Sequence, residues 1–264
     1  MQTVARFAFF VDGSNLLGSL KKLSVQVDDY GAFFGFLFRE SAQVWRSSFL
    51  DPADARARLT RVHWYEVGSM DEWDLGDPNA ERNLRDAFGR DAELKRSFMA
   101  LVGPQNTGLS QPQLFEKAWA ACYAEVKAWY EQRSNTLSGI RRFHYGVQSE
   151  TDFIDIIECG YWKLDLLNRR VLEKGLDTTL AVDMVTQVQN YDVAILVSGD
   201  ADAIPSLNYV KHEGKHVCVI EFIKGYPPET KGRQSSSRLK VVADFVCQIY
   251  EMDLVRQKLA RSAP

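Results

Sequence analysis

Three stretches of this chain place aspartates where a buried strand ends or a helix begins. Asp200 and Asp202 follow the apolar run from Val193 to Val197, separated from it by Ser198 and Gly199. An unbroken apolar run of this kind is typical of a strand buried on both faces in the middle of a parallel sheet. In open α/β sheets, ligands bind at the carboxyl ends of the strands. Both aspartates are therefore candidates for chemistry.

The same two aspartates also fit a purely structural interpretation. The segment from Ala203 to His212 is predicted to be helical, because Pro205 is tolerated in a first turn and Gly214 lies where a helix should end. Asp202 could then be the cap of this helix, and Asp200 an ordinary turn residue. We favour the chemical interpretation because two further stretches follow the same pattern.

The first of these stretches lies at the amino terminus. Val4 to Val11 is mostly apolar and runs into the tetrapeptide Asp12-Gly13-Ser14-Asn15. We predict a second buried strand that delivers Asp12 at its carboxyl end. The alternative is a turn in which the Asp12 and Asn15 side chains hydrogen-bond only their own backbone.

The second stretch lies at the start of a predicted helix. This helix is expected to begin near Thr178 or Thr179 and to bury Leu180, Met184, Val185 and Val188. At about 100° per residue, Asp177 projects onto the same side as the apolar face, and Asp183 lies about 60° from its centre. An acid at a helix amino terminus is stabilised by the helix dipole and could also bind a metal. Capping alone is the structural alternative.

Asp12, Asp177, Asp200 and Asp202 would converge on one edge of a doubly wound sheet. Crowded carboxylates repel one another and raise one another's pKa. A divalent cation would make the arrangement favourable, and oxygen ligands of this kind suit Mg²⁺ or Mn²⁺. Such an ion can polarise a phosphoryl oxygen and activate water for in-line attack. This is the chemistry of phosphodiester hydrolysis.

We expect these four aspartates to bind the cation, with Asn15 in or next to the ligand set. Asp183 lies on the flank of its helix. It is therefore expected further out, where it would orient a ligand or the turn at Lys174 and Gly175.

The remaining stretches supply the elements that must position these acids. Strands are predicted at 61–67 and 215–222, residues 141–145 and 153–167 have β-like composition, and a helix is predicted at 28–47. Residues 69–137 differ in character and contain helical patterns near 80–101 and 111–133. We predict an α/β fold in one domain over 1–264, with a mostly parallel sheet flanked by helices. It would carry a helical insertion at about 69–137 and a C-terminal helix at about 239–256.

The bulk composition limits the class of protein. With 264 residues, 45% of them hydrophobic and 25% charged, the chain is typical of a soluble globular protein. The net charge of −3 excludes a global basic field, so a polyanion would have to meet a local patch or a metal. The four cysteines are too widely spaced for a zinc site and favour reduced thiols. No signal peptide or membrane span is predicted, which favours the cytoplasm.

A basic, acid-poor loop lies between Lys224 and Lys240. It is the local patch best suited to a phosphate backbone. We predict that nucleic acid contacts Lys231, Arg233 and Arg238 of this loop, together with Ser14 after the first strand. A solvated surface loop is the alternative.

Several motifs occur in a characteristic order along the chain. They are Asp12-Gly13-Ser14-Asn15, Lys174-Gly175-Leu176-Asp177 with Asp183, Ser198-Gly199-Asp200-Ala201-Asp202, Gly214-Lys215-x-Val217 and a terminal group with Ser236, Leu239, Ala243, Asp244 and Phe245. This order resembles the NYN domain, and more narrowly its LabA-like branch, within the PIN-like nuclease fold. The resemblance covers roughly residues 4–67 and 141–254 and leaves the middle unmatched.

The resemblance implies a metal-dependent ribonuclease with a Rossmann-like sheet that acts on RNA with Mg²⁺ or Mn²⁺. The family's acidic positions fall on Asp12, Asp177, Asp183, Asp200 and Asp202, and its polar partner falls on Asn15. The segment at 69–137 departs from the compact form of the family. It is a candidate surface for a homo-oligomer or a protein partner.

Two other classes of protein remain alternatives. One is an RNA-binding or scaffold module that keeps the NYN fold without cleaving RNA. The other is a small-molecule phosphohydrolase with an aspartate nucleophile. This second class expects a D-x-D motif at the end of the first strand, whereas Gly13 and Ser14 follow Asp12 here.

Overall fold

The computed structural model describes residues 4–49, 56–106, 108–227 and 236–262 of the chain. The chain divides into two compact units. The first comprises Met1–Val67, Arg142–Gly160 and Gly175–Pro264, and the second comprises Gly68–Arg141 and Tyr161–Lys174. The segment predicted as a helical insertion, about 69–137, falls within the second unit.

A seven-stranded sheet is the framework of the fold. The strands of the described chain are β1 (Val4–Asp12), β2 (Val25–Val27), β3 (Arg56–Met70), β4 (Ile154–Asp165), β5 (Arg170–Lys174), β6 (Val193–Val197), β7 (His216–Ile223), β8 (Phe245–Tyr250) and β9 (Ala260–Ser262). The sheet order is β5-β4-β3-β1-β6-β7-β8, and β2 pairs separately with β9. Strand β1 is parallel to β3 and β6, and β6, β7 and β8 are parallel to one another. Strands β4 and β5 are antiparallel to each other.

Helices connect and flank these strands. They are α1 (Gly13–Leu23), α2 (Tyr30–Phe49), α3 (Pro78–Arg90), α4 (Ala92–Val102), α5 (Gln111–Glu150), α6 (Leu176–Thr186), α7 (Ile204–His212), α8 (Ser237–Val242) and α9 (Glu251–Arg256). The architecture is a mostly parallel sheet flanked by helices. This confirms the predicted α/β class and is consistent with a PIN-like fold.

Side chains alternate across the central strands and build a hydrophobic core on each face of the sheet. Phe7 of β1 packs in one cluster with Phe34 of α2. Phe10 of the same strand packs in a second cluster with Leu180 of α6 and Leu207 of α7. Because these strands bury both faces, their sequences are continuous apolar runs rather than alternating ones.

The second unit has a helical core of its own. Asp77 caps α3, with Pro78 in the first turn, and Asp91 caps α4. Phe88 and Trp119 are buried in the cluster that these helices form with α5. The helical pattern predicted near 80–101 is therefore two helices, because Asp91 ends the first and begins the second.

The predicted C-terminal helix at about 239–256 is wrong. The segment contains the short helices α8 and α9, with the strand β8 between them. Its apolar residues fit a helical spacing, but Phe245, Cys247 and Ile249 also alternate, and these three are buried. Pairing with β7, in which Phe245 lies opposite Cys218, selects the strand.

Residues 141–145, whose composition is β-like, lie inside the long helix α5. The side chains of His144 and Val147, three residues apart, are both buried. This spacing matches one face of a helix. Burial of that face therefore stabilises a helix here, although the composition of the segment favours a strand. On this face the centres of the His144 and Trp64 rings lie 5.7 Å apart.

Cys122, Cys159, Cys218 and Cys247 are all free thiols, in keeping with the reduced state expected from their spacing. None of the helices in the described ranges combines the length and the apolar character that a membrane crossing requires.

Candidate active site

Asp12 is a buried carboxylate at the end of β1 and caps the amino terminus of α1. Only 3% of it is exposed. The backbone N–H of Asn15 donates to its Oδ1 at 2.9 Å, and the Asn15 side-chain amide and the Ser198 hydroxyl both donate to its Oδ2. Both carboxylate oxygens are thus held in fixed directions by the first turn of α1 and the end of β6.

Asn15 also joins the ends of β1 and β6. Its Oδ1 accepts a hydrogen bond of 3.2 Å from the backbone N–H of Gly199. The Ser198 hydroxyl, in turn, accepts from the backbone N–H of Asp200 at 3.1 Å. The predicted strand ends therefore meet through a hydrogen-bonded network, because β1 and β6 are parallel neighbours.

Asp200 and Asp202 lie in the turn that leads into α7. Asp200 Oδ1 accepts from the backbone N–H of Asp202 at 3.0 Å, so Asp200 caps the short 3-10 helix Ala201–Ala203. Both residues remain exposed. Asp200 therefore has the structural role of a turn and capping residue, and this role uses only one of its two carboxylate oxygens.

Asp177 lies in the first turn of α6, which begins at Leu176, slightly earlier than predicted. Gly175 precedes it with a φ of 87°, a left-handed conformation that favours glycine. Partial desolvation raises the pKa of the Asp177 carboxyl, and the charges of Asp12, Asp200 and Asp202 raise it further. The fold therefore brings Asp12, Asp200 and Asp202 within electrostatic reach of Asp177.

Asp183 is held differently from these four aspartates. The Tyr65 hydroxyl donates to Asp183 Oδ2 at 3.0 Å. Tyr65 lies on β3 directly opposite Asp12 on β1. Asp183 is thus connected to the site through a tyrosine of the neighbouring strand.

Glu66, on β3, was not predicted as a site residue. It is buried, accepts a hydrogen bond of 3.3 Å from the Trp64 indole, and lies 3.4 Å from His144 Nε2. Burial raises the pKa of Asp12, and the charge of Glu66 adds to this effect. Glu66 could have been identified from the sequence, because it lies near the end of the predicted strand 61–67. Asp12 was identified from the same pattern of a strand followed by an acid.

The predicted nucleic-acid contacts are only partly described. Ser14 is exposed in the first turn of α1. Arg238 is exposed on α8, where it lines a shallow groove with Asp202 and Pro205. Lys231 and Arg233 lie outside the described residues.

The acid cluster has the donor chemistry of a site for a hard cation. In the described ranges, neither lysine nor arginine forms a salt bridge with Asp12, Asp177, Asp200 or Asp202. Among the described residues, no salt bridge therefore offsets the repulsion that Asp177 experiences from the other three acids, which fits a metal. Over the same ranges, however, the structure contains no group of three or more histidine, cysteine, aspartate or glutamate side chains arranged to hold a metal ion.

Comparisons with known proteins give one family and one structure. A crystal structure of a protein of unknown function from Vibrio parahaemolyticus aligns with 94% of this chain and 96% of that chain, at 14% identity and a TM-score of 0.41. No curated protein matches the sequence.

The family match is to the NYN domain, over residues 116–246. This range contains Asp177, Asp183, Asp200 and Asp202, whereas Asp12 and Asn15 lie before it. It also begins inside α5, in the middle segment that the motif comparison left unmatched. Over this range the chain is similar to the NYN domain, which supports the resemblance of its motifs to that family.

Proposed function

We propose that this protein is a metal-dependent ribonuclease of the LabA-like branch of the NYN family. It would hydrolyse RNA phosphodiester bonds with Mg²⁺ or Mn²⁺. The observation that carries the proposal is the group of four aspartates. Asp177 interacts electrostatically with the other three, and none of the four forms a salt bridge with a lysine or arginine among the described residues. The NYN family match over the segment that holds three of them supports it.

Asp12, Asp177, Asp200 and Asp202 are the residues that would hold the cation. When bound, the ion would supply positive charge to a phosphoryl oxygen and lower the pKa of a water molecule. The structure fixes no coordination geometry for it.

The chain's own residues orient this group of acids. Asn15 holds both oxygens of Asp12 and also binds the Gly199 backbone, so it links the ends of β1 and β6. Tyr65 holds Asp183 from β3. Rigid strand ends that position acidic side chains in this way support the precise geometry that hydrolysis requires.

Incubation of the purified protein with labelled structured and unstructured RNAs tests the proposal. We expect cleavage in Mg²⁺ or Mn²⁺, none in EDTA, and loss of cleavage in the Asp200→Asn variant. Cleavage that persists in EDTA, or in Asp200→Asn at the wild-type rate, would contradict a metal-dependent mechanism at this site.

A second candidate is an RNA-binding or scaffold module with the NYN fold that does not cleave RNA. The lack of a preformed ligand set within the described residues favours it. This function predicts that RNA binds equally well in Mg²⁺ and in EDTA and stays intact in both. The incubation experiment therefore separates the two candidates.

A further inference from the structure

A groove lies beside the acid cluster, between α6 and α7. Its volume is about 650 Å³, within the range of clefts that bind small organic ligands. Asp177 and Asp202 lie on its lining, and Ala181, Val182, Val185 and Tyr209 supply apolar surface. The groove therefore shares two side chains with the site proposed to act on a phosphodiester.

We propose that this groove binds the base and sugar of one unpaired nucleotide next to the phosphodiester that is cleaved. The inference rests on the proposed function, since it takes the acid cluster as the position of the phosphodiester. It adds a base-binding subsite between α6 and α7, which requires the nucleotide at this position to be unpaired, because a base can enter the groove only when it is unstacked from its neighbours.

The chemistry of the lining selects the neutral part of a nucleotide. Among the described residues, the groove lining contains no lysine or arginine, and its two charged residues are Asp177 and Asp202. A phosphate in this groove would meet only negative charge from these lining residues. A planar base would instead meet apolar side chains and the ring of Tyr209, on which it can stack.

Tyr209 and Val182 are exposed and therefore available for such a contact. The exposed fractions are 42% for Tyr209 and 52% for Val182. Large apolar side chains at this exposure contribute little to the core, so their loss should leave the fold intact. This makes Tyr209 a suitable position for a test.

A second groove continues on the other side of Asp202. It is lined by Asp202, Pro205 and Arg238 and has a volume of about 300 Å³. Asp202 and Pro205 line both grooves. A single strand that crosses the start of α7 would therefore place a base against Tyr209 and the phosphate of a neighbouring nucleotide near Arg238.

Helix α8 is fixed in the position that presents Arg238. The Ser236 backbone N–H donates to the carbonyl oxygen of Gly199 at 3.3 Å. Lys240 forms an ion pair with Glu221, a buried residue near the end of β7. Arg238 lies between these two attachments, so its distance from the turn at Asp202 is set by the sheet.

The test measures binding in EDTA, where cleavage does not interfere. The probe is a short single-stranded RNA that carries 2-aminopurine, whose fluorescence is quenched by stacking. The proteins are the wild type, Tyr209→Ala, Tyr209→Phe and, as a matched control, Tyr145→Ala, which removes a tyrosine of α5 that is 76% exposed. Circular dichroism confirms that each variant is folded.

We expect Tyr209→Ala to weaken binding of the single strand by about 5- to 150-fold, the effect of removing one base–aromatic stack. Quenching should disappear with it, whereas Tyr209→Phe and Tyr145→Ala should both behave like the wild type. Arg238→Ala should keep the quenching and reduce the salt slope by roughly 0.7, as expected when one phosphate of a single strand is no longer neutralised.

Three results would overturn the inference. Tyr209→Ala could bind the single-stranded RNA as tightly as the wild type does, or it could lose as much affinity for a perfect RNA duplex as for the single strand. The third is that the wild type binds no RNA. Cleavage is scored separately, with Asp200→Asn. If the wild type binds RNA through Tyr209 but never cleaves it, the groove assignment stands and the ribonuclease proposal falls. If Asp200 is required for cleavage but Tyr209 is not required for binding, the reverse holds.

Discussion

Asp12 and Asp200 play different parts within one acid cluster. Asp12 is buried, and both of its oxygens accept hydrogen bonds from Asn15 or Ser198. Asp200 is exposed and accepts a hydrogen bond from the backbone N–H of Asp202. The exposed aspartate is therefore the better placed to meet a substrate or an ion, and the buried one fixes the position of the strand ends.

Asp183 should matter less for activity than Asp200. It contacts Tyr65 rather than the other acids, so Asp183→Asn should lower the cleavage rate by about 10- to 100-fold, as is common for residues behind a metal ligand. Asp200→Asn should lower it further. The measurement is the single-turnover rate with saturating Mg²⁺, and Tyr65→Phe should reproduce the loss of Asp183→Asn. Equal losses for Asp183→Asn and Asp200→Asn would show that Asp183 acts directly.

The charge of Asp177 should make folding less favourable at neutral pH. Its pKa is raised above the ordinary value of 3.8 by desolvation and by the three neighbouring aspartates. The folded state therefore keeps a proton on Asp177 to higher pH than the unfolded state does. The stability that this proton confers is present below about pH 3.8 and is lost as pH rises through the folded-state pKa.

We therefore expect wild type to lose stability relative to Asp177→Asn as pH rises above 3.8. Urea denaturation at a series of pH values measures this, with Asp86→Asn, exposed on α3, as the control. At neutral pH, Mg²⁺ or Mn²⁺ should raise the stability of wild type, by about 2.7 kcal/mol at one hundred times its Kd, and should raise that of Asp177→Asn less. An identical response of the two proteins to the metal would remove Asp177 from the ligand set.

At the scale of elements, the start of α1 depends on a close approach to β3. A Cβ atom on Gly13 would lie 2.5 Å from Trp64 Nε1 and 2.8 Å from the carbonyl oxygen of Tyr65, and it would also overlap the Glu66 carboxylate. Glycine is therefore required for the turn that brings Asn15 back to Asp12. The requirement is steric and comes from the neighbouring strand.

Gly13→Ala should destabilise the protein by about 1–3 kcal/mol, the usual effect of overpacking, and should also lower activity because Asp12 and Asn15 would shift. Gly18→Ala, in the same helix, is the matched control, because nothing lies within 4 Å of an added Cβ there. That variant should be stabilised by roughly 0.5–1 kcal/mol. The free energy of unfolding in urea measures both. A stable, active Gly13→Ala variant would show that β3 can move away from α1.

At the scale of the whole molecule, the net charge of −3 opposes binding of a polyanion. Affinity for RNA should then depend on the basic loop, of which Arg238 is described and Lys231 and Arg233 lie outside the described residues. Replacing all three with alanine should weaken RNA binding. It should also flatten the salt dependence, by roughly 0.7 log units per log unit of salt for each phosphate that is no longer neutralised.

This triple variant should bind Mg²⁺ or Mn²⁺ like the wild type, because its substitutions leave the four aspartates in place. Titrations of RNA at several salt concentrations measure the slope, and calorimetry measures metal binding. Unchanged affinity and slope would show that the loop is only solvated surface. The helical second unit would then be the better place to look for an RNA contact.

The sequence by itself determined the α/β class and the ends of the central strands. Val4 to Val11 is mostly apolar and Val193–Val197 is wholly apolar, as is typical of strands that are buried on both faces of a parallel sheet. Because parallel strands end at one edge, Asp12 and Asp200 could be placed together from the sequence alone. The physical basis is local: hydrophobic pattern, turn residues and helix caps act within a few positions of one another.

Only the tertiary structure decided the elements whose patterns are ambiguous. Phe245–Tyr250 fits a helix or a strand by spacing, and its pairing with β7 makes it a strand. Residues 141–145 have β-like composition, yet burial of His144 against Trp64 and Glu66 keeps them in α5. Glu66 likewise lies near Asp12 only because β3 pairs with β1 in the sheet. The two strands are far apart in the sequence, with the helices α1 and α2 between them. Contacts between residues distant in sequence supply the free energy that local propensity leaves undecided, so these features follow from the fold.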